Sequence, residues 1–233
     1  MPDRQYSLAI ETSSRAGSIA LGCDQTLIEH VDLPQPKRHR VELMPTIDQL
    51  CRKHQVRPGD LGEVAINIGP GSFTGLRIAV TTAKMLAMTL GIKVVAADAT
   101  QVIAAGVDSD TAPHLAVCLA TRQDTFYCGL FEQHGKGWQL CDDAKVMTVE
   151  QLLANTSRPL AMVGEGCPEI PATEGIVLID PPSLRAADLW RITRGRACCD
   201  PLTLSPIYAH PPQAQSQWDQ RYGKTATIQT RKI

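Results

Sequence analysis

Apolar residues fall in short blocks along this chain, and the period of the blocks changes. Tyr6–Thr12, apolar at Leu8, Ala9 and Ile10, predicts a strand that ends on Glu11 and Thr12. Ser13–Gly17 reads as a turn, Gly17–Cys23 as a second strand and Thr26–Leu33 as a third. Strands this close, joined by short turns, make an antiparallel meander. Pro34 and Pro36 end it. Val41, Met44, Ile47, Leu50, Cys51 and His54 then recur at three- and four-residue steps, the spacing of one helix face. Pro45 conflicts with a helix interior, so the pattern predicts a helix that starts near Pro45 or kinks there.

The segment 66–90, INIGPGSFTGLRIAVTTAKMLAMTL, organises the rest. Val64–Ile68 predicts a buried strand, with β-branched residues at 64, 66 and 68. Gly69, Pro70 and Gly71 end it, and Ser72 or Thr74 supplies a helix N-cap. Gly75, Ala79, Ala83 and Ala87 are four apart, so they form a ridge of small side chains on one helix face. Amides exposed before a helix start can also bind an anion. The Walker pattern is absent, because Gly75 is followed by Leu76 and Arg77 rather than by lysine.

Lys93–Ala97 then predicts a parallel strand. Three strands, helix, strand, helix, strand implies a mixed sheet with helices on it, an α/β lobe. The same idea recurs more loosely afterwards. Thr100–Ala105 reads as a short helix, His114–Thr121 and Thr125–Glu132 as strands, and His134–Gly137 as a turn. Val149–Ala154 reads as a helix, Ala161–Val163 and Ile176–Ile179 as strands, and Ala186–Ala197 as the last strong helix. The expected organisation is a lobe over 1–105, a second lobe over 106–210 and a flexible tail over 211–233.

Composition narrows the class without naming it. The chain has 233 residues, 43% hydrophobic and 20% charged, with a net charge of −1. That balance argues against binding nucleic acid through the overall field of the protein. No basic start leads into a long apolar core, and no run approaches a membrane span, so a cytoplasmic protein is expected. Eight cysteines without a CxxC pattern, several inside apolar strands, point to buried reduced thiols rather than disulfides or zinc.

Several stretches together resemble one family. AIETSSRAGSIAL, His39 followed by ELMP, and IGPGSFTGLRIAV are similar to the bacterial TsaB proteins. Ala120-Thr121-Arg122 leading to Tyr127, Val163-Gly164-Glu165-Gly166 and Pro206-Ile207-Tyr208 fall in the same order. The resemblance implies the two-lobed fold of actin, Hsp70 and sugar kinases, with mixed sheets flanked by helices and a reduced second lobe. It implies a non-catalytic subunit that binds and activates a TsaD-like paralogue. The complex adds threonylcarbamoyl to the adenosine next to the anticodon of tRNA, and a TsaE-like ATPase takes part. Homodimerisation of the isolated chain and only indirect contact with tRNA go with it. The family often has Asp at the positions of Glu11 and Ala120; Glu11 keeps the charge and Ala120 does not.

The residues themselves speak on catalysis. A kinase of this fold needs a phosphate-gripping turn in each lobe and a carboxylate for the metal. Glu11, Thr12, Ser13, Gly69, Gly71 and Ser72 could form one vestigial nucleotide or anion site. Gly164-Glu165-Gly166 is a poor second turn, and no Gly-Gly occurs. A small-molecule kinase is therefore the alternative, with a protease behind it, since no serine sits in a Gly-x-Ser-x-Gly elbow. TsaD-like chemistry needs an HxxxH metal pair; the corresponding positions here are Ala99 and Ile103. His30, His39, His54, His114, His134 and His210 are scattered. No intrinsic cofactor or metal is expected, and ATP with magnesium only at a complex interface. In the family the helices after the meander and after GPGSFTG dock the partner. If the small ridge packs on the sheet, the partner-facing residues are Ile78, Thr82, Met85 and Thr89, with His39, Leu43, Ile47 and Leu50 from the first helix.

Overall fold

The computed structural model describes residues 6–34, 39–121, 125–164 and 175–209. The meander forms as expected: β1 (Tyr6–Glu11), β2 (Ser18–Cys23) and β3 (Thr26–Asp32) pair antiparallel. Helix α1 (His39–Lys53) and a 3-10 turn at Pro58–Asp60 lead to β4 (Leu61–Asn67), then α2 (Phe73–Leu90) and β5 (Lys93–Ala97). β4 lies parallel to β1 and β5 parallel to β4, giving the order β3-β2-β1-β4-β5.

The second half repeats this order. After α3 (Ala99–Ala105) come β6 (His114–Ala120), β7 (Thr125–His134), β8 (Gly137–Leu140), β9 (Lys145–Thr148), α4 (Val149–Ala154), β10 (Leu160–Val163) and β11 (Ile176–Ile179). Their sheet runs β8-β7-β6-β10-β11, antiparallel on one side of β6 and parallel on the other. This is the doubled α/β architecture of the actin, Hsp70 and sugar-kinase class. The second copy is reduced: residues 164–175 join its parallel strands where residues 68–92 do so in the first. β8 and β9 were not foreseen. Each is only four residues long, and β9, Lys-Val-Met-Thr, has too few positions to show a period.

Large and small residues alternate along the strands of the first sheet. Leu8, Ile10, Ile19, Leu21, Val64 and Ile66 face α1 and α2. Ala9, Ala20, Ala65 and Ala97 make the other face, which is flat enough to admit Trp190. Trp190 belongs to α5 (Ala186–Thr193), so the last helix returns to the first lobe. Its indole donates to Ser7 Oγ at 2.7 Å and lies where a Cβ on Gly22 would fall. Arg194 beyond it pairs with Glu63 at 3.0 Å. The segment after α5 stays there: Cys199 bridges Val94, and the Ile207 amide donates to Ile68 at 2.7 Å. Residues 186–207 therefore pack on the first lobe, although 106–210 was expected to form the second. The small-residue face needed a cover, and α5 supplies it.

Of the two alternatives at Pro45, the helix does not start there: α1 starts at His39 and runs through it. A proline there removes one amide donor, and it sits on the solvent side of the helix. α5 stops at Thr193, short of the expected Ala197, with Gly195 at φ +72° just beyond. The expected tail over 211–233 lies outside the described residues.

Two predictions follow from how the helices are tied down. Gly75, in the first turn of α2, lies so close to β1 that a Cβ would overlap the Thr12 carbonyl oxygen. Helix propensity alone would make Gly75→Ala stabilising by about 1 kcal/mol. Overpacking against backbone costs about 3 kcal/mol, so a net loss of about 2 kcal/mol is expected in urea unfolding. A variant as stable as the parent would contradict this close approach. Glu29 on β3 holds the end of α1, meeting Lys53 Nζ and His54 Nε2 at 2.6 Å each. Lys53 first, then His54, hold its carboxyl below the ordinary carboxylate range. Its contribution is present above that range and is lost as pH falls through the lower, folded value. Urea midpoints of the parent and Glu29→Gln should differ near neutrality and converge in acid; a difference that persists there would contradict it.

Candidate functional site

Two places bear on function, and the first is the turn after β4. The structure brings Glu11, Thr12, Ser13, Gly69, Gly71 and Ser72 together there. Glu11 is fully buried at the end of β1. Its Oε1 accepts from the Ser13 amide at 2.7 Å and the Ser13 hydroxyl at 2.5 Å, and its Oε2 from Asn67 Nδ2 at 2.7 Å. Asn67 Oδ1 accepts from the Gly69 amide at 2.8 Å. The Ser72 amide donates to the Ser13 carbonyl at 2.6 Å, and the Thr12 hydroxyl to the Gly75 carbonyl at 2.8 Å. Ser72 caps α2 by accepting from the Gly75 amide. Gly69 has φ +107°, a conformation that L side chains rarely adopt. Gly71 does not need positive φ; a Cβ there would meet the Ser13 carbonyl oxygen at 2.6 Å.

The amides of Ser13, Gly69, Ser72 and Gly75 are thus engaged within the chain, and the Glu11 carboxylate is hydrogen-bonded on both oxygens. This turn fastens α2 to β1. Asn67 is its central residue and was not singled out from the sequence. The only signal was one amide following the apolar run Val64–Ile66. Ala99 and Ile103, the positions that the resemblance sets against an HxxxH pair, are both buried apolar residues of α3. Among the described residues no group of three or more His, Cys, Asp or Glu is placed to hold a metal. At the junction of the lobes, burial pushes the Asp98 carboxyl above its ordinary range, and hydrogen bonds from Thr100 and Gln101 oppose that.

The second place is the outer face of α1 and α2. The ridge Gly75, Ala79, Ala83 and Ala87 is buried, so the opposite side of α2 looks outward. Met85 and Thr89 are exposed there, and Ile78 and Thr82 are half-buried. On α1 the orientation differs from the expectation: Leu43, Ile47 and Leu50 are buried in the core against the sheet. Of these only Leu43 reaches the floor of a surface groove. The helix turns its deepest apolar stripe to the strands and leaves Val41 and Met44 outside, each about half exposed. The His39 side chain lies outside the described residues.

Two adjoining grooves run between the helices. One, of about 440 Å³, is lined by residues that include Arg40, Met44, Phe73, Arg77 and Ile78. The other, of about 390 Å³, is lined by residues that include Pro58, Met85, Leu86, Thr89 and Leu90. Met44, Thr81 and Thr82 line both. Val41, Met44, Phe73, Met85 and Met88 of these two helices are exposed large apolar residues, and clustered exposure of that kind marks interaction sites.

A family model described as TsaD, tRNA N6-adenosine threonylcarbamoyltransferase, matches residues 27–173, more than half of the chain. The chain belongs to the TsaD family. Among similar members is the tRNA threonylcarbamoyladenosine biosynthesis protein TsaB of Bacillus subtilis, 28% identical over 91% of this chain and 96% of its own length. The Escherichia coli protein of that name is 26% identical over 74% of this chain and 78% of its own length. Two Pseudomonas aeruginosa structures share the fold at 23% identity and cover 88% of this chain. One is YeaZ, with a TM-score of 0.70 over 99% of that chain; the other, described as similar to the peptidase YeaZ, has 0.73 over 100%.

The turn and the helix face respond to different substitutions. Asn67→Ala strips one donor from a buried carboxylate and leaves Glu11 Oε2 short of a hydrogen bond. A loss of about 2–3 kcal/mol is expected in chemical unfolding, the scale of hydrogen bonds to charged groups. An unchanged unfolding midpoint would contradict a fastening role for this network.

Proposed function

We propose that this TsaD-family chain is a non-catalytic subunit of the complex that adds threonylcarbamoyl to the adenosine next to the anticodon of tRNA. It binds and activates a TsaD-like paralogue through the outer face of α1 and α2. The observation that carries this reading is the exposed apolar helix pair, in a chain whose phosphate-type turn is engaged in holding its own fold. Relatives named for threonylcarbamoyladenosine biosynthesis support the same assignment. A TsaE-like ATPase completes the assembly, and tRNA is reached through the complex. The isolated chain pairs with a second copy through the same face. It holds no metal or nucleotide of its own; ATP with magnesium binds only where the complex forms an interface. The setting is the cytoplasm, and among the described residues no helix is long and apolar enough to cross a membrane.

The partner-facing set is Ile78, Thr82, Met85 and Thr89 of α2, with Met44, Val41 and the groove edge of Leu43 from α1. Ile47 and Leu50 support it from beneath. Thr82 is the central position because it lines both grooves. A long cation there would fill the contact and be stripped of water on docking, and a buried charge without a partner costs about 3–5 kcal/mol. Thr82→Arg should abolish association with the TsaD-like paralogue and with itself, while circular dichroism and melting stay those of a folded monomer. Co-elution of the folded variant with the paralogue at parental affinity would remove this face from the reading.

A further inference from the structure

Among the described residues, the groove at the start of α1 and α2 carries charge of one sign only: Arg40 and Arg77 line it, and neither groove is lined by a described Asp or Glu. Among the described residues, no ion pair engages Arg40 or Arg77, although eight pairs form elsewhere. Arg77 is also held in place. Its guanidinium lies 3.9 Å over the Phe73 ring, its Nε donates to the Tyr208 hydroxyl at 3.2 Å, and Phe73 and Tyr208 stack at 4.9 Å. A guanidinium fixed through Nε and one face keeps its terminal N–H groups for a carboxylate, and little rotamer freedom remains to be lost on binding.

A two-fold pair of copies presents the same surface on both sides. The lining of either groove can offer the arginines apolar and hydroxyl groups but no carboxylate. Self-pairing through this face therefore gathers four cations at one interface and neutralises none from the groove linings. We propose that Arg40 and Arg77 are partner-selecting residues: they favour a docking protein that presents a carboxylate beside its apolar side chains over a second copy of this chain. This rests on the docking reading above.

The test compares two associations. The probe is the purified TsaD-like paralogue of the same organism, titrated by calorimetry at low and high salt; self-association is followed by sedimentation. The variants are Arg40→Glu and Arg40→Glu/Arg77→Glu. Arg40→Glu leaves the Phe73–Arg77–Tyr208 stack intact and decides the matter if the double variant loses its fold. The paralogue should bind the variants at least about tenfold more weakly, and the salt dependence of the parent should disappear or reverse. Self-association should hold or strengthen. A folded Arg40→Glu variant that binds the paralogue at parental affinity, or loses both associations equally, would overturn the selection while leaving the docking face in place. Failure of the parent to bind the paralogue would overturn the docking reading and this one with it.

Discussion

The contact between the start of α2 and the end of β1 sets most of what this molecule shows to its surroundings. The Thr12 hydroxyl donates to the Gly75 carbonyl, the Thr12 carbonyl leaves no room for a side chain at Gly75, the Ser72 amide donates to the Ser13 carbonyl, and Asn67 bridges the Glu11 carboxylate to the turn. That clamp decides the rotation of α2 about its own axis. With Gly75 against the strand, Ala79, Ala83 and Ala87 follow it inward at four-residue steps, and Thr81, Met85 and Met88 are turned out. The buried Glu11 carboxylate and the glycines of the turn here hold a helix in place.

Both sheets repeat one strand order, yet the two lobes are not equal. The first has a helix pair with long outward sides; the second has a six-residue α4 and a short connection between its parallel strands. α3 serves both. Its Val102 packs with the alanine face of the first sheet, and its Ile103 and Ala104 with Leu115, Val117 and Phe131 of the second. One short helix with apolar residues on two sides thus joins two cores.

Much of this was legible in the chain. The meander, the strand–turn–helix around Gly69–Gly75 and the parallel strand after it follow from period and from the turn residues. The direction of the small-residue ridge did not, because a row of Gly and Ala suits a sheet and a partner helix equally well; the overlap with Thr12 decides it. On α1 the periodic residues Leu43, Ile47 and Leu50 are the core stripe, and the exposed Val41 and Met44 lie beside it. A hydrophobic pattern locates the stripe a helix buries most deeply, and an interface built on its flank carries no period of its own. Asn67 and the return of α5 were hidden for another reason. Each depends on residues far away in sequence, Glu11 in one case and Ser7 and Gly22 in the other.

The return of α5 also bears on the order in which this protein comes into being on the ribosome. The face made by α1 and α2 has all its helices once β5 has emerged. The alanine face on the other side of the same sheet has then only Val102 of α3 to follow at once, and the rest of its cover waits until the whole second lobe and Trp190 have been translated. The nascent chain therefore passes through a stage in which its first sheet has one face clad and the other largely open, and that open face is protected mainly by the small size of its side chains. Alanine offers little apolar area for a wrong partner to grip, so the composition that makes room for the indole also guards the unfinished lobe until it arrives.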